Sequence, residues 1–129
     1  MSKRLLVTDD ALIIREMIKD VAQEHGWEIA GEASNGAEAI ERFKELRPDV
    51  TTLDLVMPGT DGLHALEGIR NIDPDAKVLV VSALEQRTVL KDALTKGAAD
   101  FIVKPFDKKR LAEALDKLLT AAQLLNTEN

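Results

Sequence analysis

Val50-Thr51-Thr52-Leu53-Asp54 is a short run of branched and apolar residues that stops on an acid. Similar runs occur at Leu5 to Val7, Val78 to Val81 and Phe101 to Val103. All are short and rich in branched side chains, as strands covered on both faces are. Trp27-Glu28-Ile29-Ala30-Gly31-Glu32 differs, because its alternation is interrupted, which suits a half-exposed strand at a sheet edge. Between these runs the apolar residues change to helical spacing. Ile14, Met17, Ile18 and Val21 form one stripe, and Leu111, Leu115, Leu118 and Leu119 form another. Ile40, Phe43 and Leu46 mark a third, Leu66 with Ile69 a fourth, and Leu90, Ala93 and Leu94 a fifth. Gly26 and Gly97 stand where helix C-terminal caps are expected.

Strand followed by helix, five times over, predicts an α/β fold: a doubly wound five-stranded parallel sheet with five helices on its two faces. The expected strand order is 2-1-3-4-5. With 129 residues the chain fits one domain that buries a core without metal or disulfide staples. Residues 1–125 are assigned to that domain, and residues 126–129 to a short frayed tail. The net charge of -6 argues against direct grip on nucleic-acid phosphates. There is no cysteine, which excludes disulfide and thiolate chemistry and agrees with a reducing compartment. The apolar run Leu5-Leu6-Val7 is too short for an export signal or a membrane span, so a cytoplasmic location without membrane insertion is expected.

In such sheets ligands bind beyond the carboxyl ends of the strands, where strand order reverses. Asp9 and Asp10 end the first run, Asp54 the third, Ser82 the fourth and Lys104 the fifth. The first and third strands are neighbours in the expected order, so three carboxylates meet in one crevice. Each pair of unit charges about 4 Å apart repels by on the order of 4 kcal/mol at an effective dielectric near 20. A divalent cation is the natural compensation. Oxygen ligands, with neither cysteine nor a rim histidine, favour Mg2+ over zinc. For Asp9-Asp10 alone the plainer reading is a helix N-cap before Ala11, and for Lys104 a solvated strand end. The other acid, the hydroxyl and the lysine placed at strand ends of the same rim argue against both.

Val7-Thr8-Asp9-Asp10, Leu53-Asp54-Leu55-Val56-Met57-Pro58-Gly59, Val80-Val81-Ser82-Ala83 and Phe101-Ile102-Val103-Lys104-Pro105-Phe106 resemble the signature blocks of two-component response-regulator receivers. The likeness covers nearly the whole chain, and the length is similar to that of the CheY-like single-domain type. The resemblance implies a phosphorelay switch in which a histidine kinase passes its phosphoryl group to Asp54. It implies Mg2+ held by Asp10, by Asp9 largely through water, by Asp54 and by the main-chain carbonyl of Val56. Lys104 and Ser82 are the implied phosphoryl partners. As Ser82 moves, an aromatic side chain of the last strand turns inward in this family; the matching residue is Phe101, for which a plain core position is the alternative. A cis bond at Lys104-Pro105 is implied as well. The output surface is the last two helices and last strand, with chemotaxis and the flagellar motor switch as the leading target and a phosphatase as a further partner. A relay or adaptor role in another pathway stays open.

Asp107 is a candidate cap for the last helix, whose first turn then holds Lys108, Lys109 and Arg110 against the helix dipole. Docking of an acidic partner segment and a merely solvated face both fit those cations. His25 and His64 are isolated from the crevice, and Pro58-Gly59-Thr60-Asp61-Gly62 reads as a mobile loop beside Asp54. An aspartate-nucleophile phosphohydrolase is a rival, but Val56 stands where its second acid is needed. In a flavodoxin-like cofactor binder, Asp9 and Asp10 would repel the phosphate.

Overall fold

The computed structural model describes residues 3–57, 60–83 and 87–128. Strand and helix alternate as β1 (Arg4–Thr8), α1 (Leu12–Glu24), β2 (Glu28–Ala33), α2 (Gly36–Leu46) and β3 (Val50–Leu53). A two-residue pair, β4 (Val56–Met57) and β5 (Thr60–Asp61), precedes α3 (Gly62–Ile72). The chain continues through β6 (Val78–Ala83), α4 (Arg87–Thr95), β7 (Asp100–Lys104) and α5 (Lys108–Glu128). β2, β1, β3, β6 and β7 lie side by side in that order, all parallel. Leaving out the small β4-β5 pair, this is the expected 2-1-3-4-5 arrangement.

Alternation along each central strand divides the core in two. Leu5 and Val7 of β1, Val50 of β3, and Leu79 and Val81 of β6 pack with Ile18 and Val21 of α1 and Leu111, Leu115, Leu118 and Leu119 of α5. Leu6, Leu53, Val78 and Val80 point the other way, onto Phe43, Leu66, Ile69 and Leu90 of α2, α3 and α4. Successive strand residues face opposite sides, so a strand covered on both faces must be apolar throughout. β3 keeps two polar residues inside: Thr51 and Thr52 are fully buried, and neither hydroxyl has a partner. Met17 and Leu94, which spacing places on the apolar stripes, lie at their margins and are exposed.

β2 is an edge strand, as its broken pattern predicts, and its pairing with β1 slips between Leu5 and Leu6. Trp27 is buried just before it. Gly26 and Gly97 have positive φ, 86° and 106°, past the ends of α1 and α4. That backbone suits glycine at a helix C-terminus. The segment expected as a mobile loop is partly regular: Thr60 and Asp61 pair antiparallel with Met57 and Val56, and Gly62 opens α3. Gly62 is required there, because a Cβ would run into the Leu55 backbone. Pro58 and Gly59 lie outside the described residues. α5 is described through Glu128, past the Leu125 boundary at which fraying was expected. No helix among the described residues is long and apolar enough to cross a membrane.

Candidate functional site

β1 and β3 are in register from Leu5 opposite Val50 to Thr8 opposite Leu53. The ladder continues one step past the strands: Asp54 N–H donates to the Thr8 carbonyl (3.1 Å), and Asp9 N–H to the Ala33 carbonyl of β2 (3.1 Å). Both acids are therefore held by sheet-like backbone bonds at the carboxyl edge, where strand order reverses. One carboxylate oxygen from each of Asp9, Asp10 and Asp54 lies within 4.8 Å of the other two. Asp9 and Asp54 are buried, at 1% and 6% relative exposure, and Asp10 is exposed.

Lys104 reaches this group from the end of β7. Its Nζ is 2.7 Å from Asp9 Oδ2 and 3.4 Å from Asp54 Oδ2. The peptide bond from Lys104 to Pro105 is cis. Ser82 is fully buried near the end of β6, in register with Val103, with Ala83 in register with Lys104. The five polar residues assigned to one rim, Asp9, Asp10, Asp54, Ser82 and Lys104, thus stand at the ends of adjacent strands.

Burial pushes the Asp54 carboxyl above its ordinary range; the Lys104 charge opposes this, the Asp9 charge adds to it, and the N–H of Val56, 3.3 Å from Oδ1, opposes it again. Burial works against the Lys104 ammonium too, yet the hydrogen bond to Asp9 and the charges of Asp54 and Asp9 outweigh it, holding its pKa above the usual lysine value. Three carboxylates against one ammonium leave an excess of two negative charges when all are ionised. An all-oxygen donor set with that excess fits a hard divalent cation such as Mg2+.

The N-cap alternative for Asp9 and Asp10 fails in detail. The residue before α1 is Ala11, which makes no side-chain cap bond, and Asp9 Oδ1 instead accepts from Ala11 N–H at 2.9 Å within the loop. Phe101 is not a plain core residue: it stands outward on β7, 36% exposed. Val56 follows two residues after Asp54 with its side chain exposed. Asp107 does cap α5, accepting from Lys109 N–H at 2.8 Å. Lys108, Lys109 and Arg110 are exposed, with Arg110 turned back to the Phe101 carbonyl (3.3 Å) and Asp100 (3.6 Å). His25 donates from Nδ1 to the Val21 carbonyl at 2.9 Å and His64 is exposed on α3, so neither joins the rim.

One participant escaped the sequence reading. Arg15, in the first turns of α1, donates from Nη1 to the Asp9 carbonyl at 2.8 Å and from Nε to Glu32 Oε1 at 3.1 Å. Helical spacing marks Arg15 only as polar, and the partner that orients it sits on another strand.

Residues 5–116 match the family model described as response regulator receiver domain. The chain is 49% identical to the chemotaxis protein CheY of Thermotoga maritima over 118 residues, covering 92% of this chain and 98% of that protein. It is 46% identical to the chemotaxis protein CheY of Bacillus subtilis, over 92% and 99% of the two chains. Among solved structures, the CheX-CheY-BeF3-Mg2+ complex from Borrelia burgdorferi superimposes with a TM-score of 0.81 at 33% identity, covering 92% of this chain and 87% of that one. Sequence blocks, strand order and the acid-lysine rim agree with one another and with these relatives, and the chain belongs to the response regulator receiver family.

Proposed function

We propose that this chain is a phospho-accepting switch, with Asp54 as the acceptor of a phosphoryl group from a histidine kinase. The observation that carries the reading is the buried Asp54 carboxylate set between Asp9, Asp10 and the Lys104 ammonium. A carboxylate made more basic by burial is a better nucleophile than a solvated one. One Asp54 oxygen forms a bond to phosphorus while the bond from phosphorus to the donor imidazole nitrogen breaks, leaving an acyl phosphate and a free imidazole. Asp10, Asp9, Asp54 and the Val56 carbonyl would hold Mg2+, whose contribution when bound is to neutralise charge on the transferring group.

The new group carries roughly 1.5 to 2 negative charges. Lys104, already directed at Asp54, offers them an ammonium, and Ser82 offers a hydroxyl donor. Phe101 stands outward one strand away and is the residue whose rotation reports the change to the face of α4, β7 and α5. The CheY relatives favour chemotaxis and the CheX-CheY complex favours a partner protein of the CheX kind; the flagellar motor switch as target and a phosphatase as partner are what the family resemblance adds. The protein acts in the cytoplasm as a stoichiometric acceptor that also dephosphorylates itself, not as an enzyme turning over a separate substrate.

Incubation with a small-molecule phosphodonor and Mg2+, read by intact-mass spectrometry, is expected to add one phosphoryl group to the wild type and none to Asp54→Asn. Equal labelling of the two would refute Asp54 as acceptor. Release of inorganic phosphate from generic phosphoesters would favour the hydrolase instead.

A further inference from the structure

The backbone of Asp9 is held on both sides, directly by the edge strand β2 and through Arg15 of α1. Its N–H donates to the Ala33 carbonyl, and its C=O accepts from Arg15, whose guanidinium is in turn fixed by Glu32. Arg15 is mostly buried, with 16% of its side chain exposed, and Glu32 is anchored a second time by Lys19 at 3.0 Å. A guanidinium with Nε on a carboxylate and Nη1 on a carbonyl is a planar bridge whose two donors are fixed relative to each other. The carbonyl it holds belongs to the peptide linking Asp9 to Asp10, so its orientation sets how the two carboxylates are presented to the rim.

We propose that Arg15 is a positioning residue for the divalent-cation site, locking the Asp9-Asp10 peptide against Glu32 of β2. The proposal deepens the Mg2+ reading given above and rests on it. Arg15 bonds to the Asp9 carbonyl and to Glu32 rather than to the Asp54 carboxylate, so it acts through the backbone of a ligand loop. Residues that orient metal ligands commonly contribute about 10- to 100-fold to metal affinity.

The sign of the effect separates positioning from simple electrostatics. Arg15 is a cation beside a site for a cation, so by charge alone its removal must tighten Mg2+ binding. By positioning, removal must weaken it. Mg2+ titration by isothermal calorimetry on the full chain, with urea midpoints to establish folding, tests this on Arg15→Met and Arg15→Lys. Arg15→Met is expected to bind Mg2+ about 10-fold more weakly. Arg15→Lys keeps the charge without the planar bridge and is expected to show a similar loss; it also serves should Arg15→Met fail to fold. At saturating Mg2+, phosphorylation of either variant by a small-molecule donor should return to the wild-type rate. A folded Arg15→Met that binds Mg2+ as tightly as wild type, or more tightly, overturns the role of Arg15, as does wild-type affinity in Arg15→Lys. Wild type that takes up no Mg2+ overturns instead the cation site on which the proposal rests.

Discussion

Asp54 is costly to the fold in the absence of a cation. Burial and the Asp9 charge together outweigh the help of Lys104 and Val56 N–H, so the folded protein holds the Asp54 proton more tightly than the unfolded chain does. Where the folded state binds more protons, stability falls as pH rises. The fall begins at the unfolded carboxylate value, about 3.9, runs through the raised folded value and persists above it. Asp54→Asn removes the charge while keeping the shape. In chelator-treated protein it should therefore raise the urea midpoint at neutral pH, and the gain should shrink as pH falls into the ordinary carboxylate range. Equal midpoints at neutral pH would mean that Lys104 offsets the whole cost. Under the proposed function, the same burial that weakens the metal-free fold makes Asp54 a sharper nucleophile.

At the scale of elements, each strand end is extended by a helix start that must be stopped from drifting. α2 shows how. Asn35 Oδ1 accepts from Glu38 N–H at 2.9 Å, while Glu38 Oε1 accepts from the N–H of Ser34 at 2.7 Å and from its hydroxyl at 2.8 Å. The Asn35 bond satisfies a donor that the first helical turn leaves open, and the Glu38 bonds tie the preceding Ser34 to that turn. The bonds from the Ser34 N–H and hydroxyl also hold the Glu38 carboxyl below its ordinary value. Asn35→Ala should cost about 1 kcal/mol, measured as a lower urea midpoint with an unchanged slope. A loss inside experimental error would show that water replaces the cap. This turn follows Ala33, whose carbonyl holds Asp9, so the cap also steadies the strand end beside the acidic rim. The sequence reading found the cap of α5 at Asp107 and missed this one, although Asn35 and Glu38 have the required spacing.

For the whole molecule, a cation that binds only the folded state must stabilise it by mass action. Mg2+ at about 100 times its dissociation constant should add roughly 2.7 kcal/mol, seen as a rise in melting temperature that chelator reverses and that Asp54→Asn diminishes. No rise in wild type would contradict the cation site. Much of this protein was legible in the order of its residues. Apolar runs alternating with helical stripes determine a parallel sheet covered on both sides, because period-two and period-3.6 patterns cannot exchange roles. Residues at strand ends share one edge in any parallel sheet, so the positions of Asp9, Asp10, Asp54, Ser82 and Lys104 along the chain are enough to gather them on one rim. Contacts between side chains and distant backbone were not legible. The reach of Lys104 to Asp9 across 95 positions, the outward stance of Phe101, the bridging of Asp9 to Glu32 by Arg15 and the β4-β5 pair all depend on how separate elements stack. Local sequence sets the period and the direction of each element; rotamer and partner are decided only when the burial of one element constrains the next.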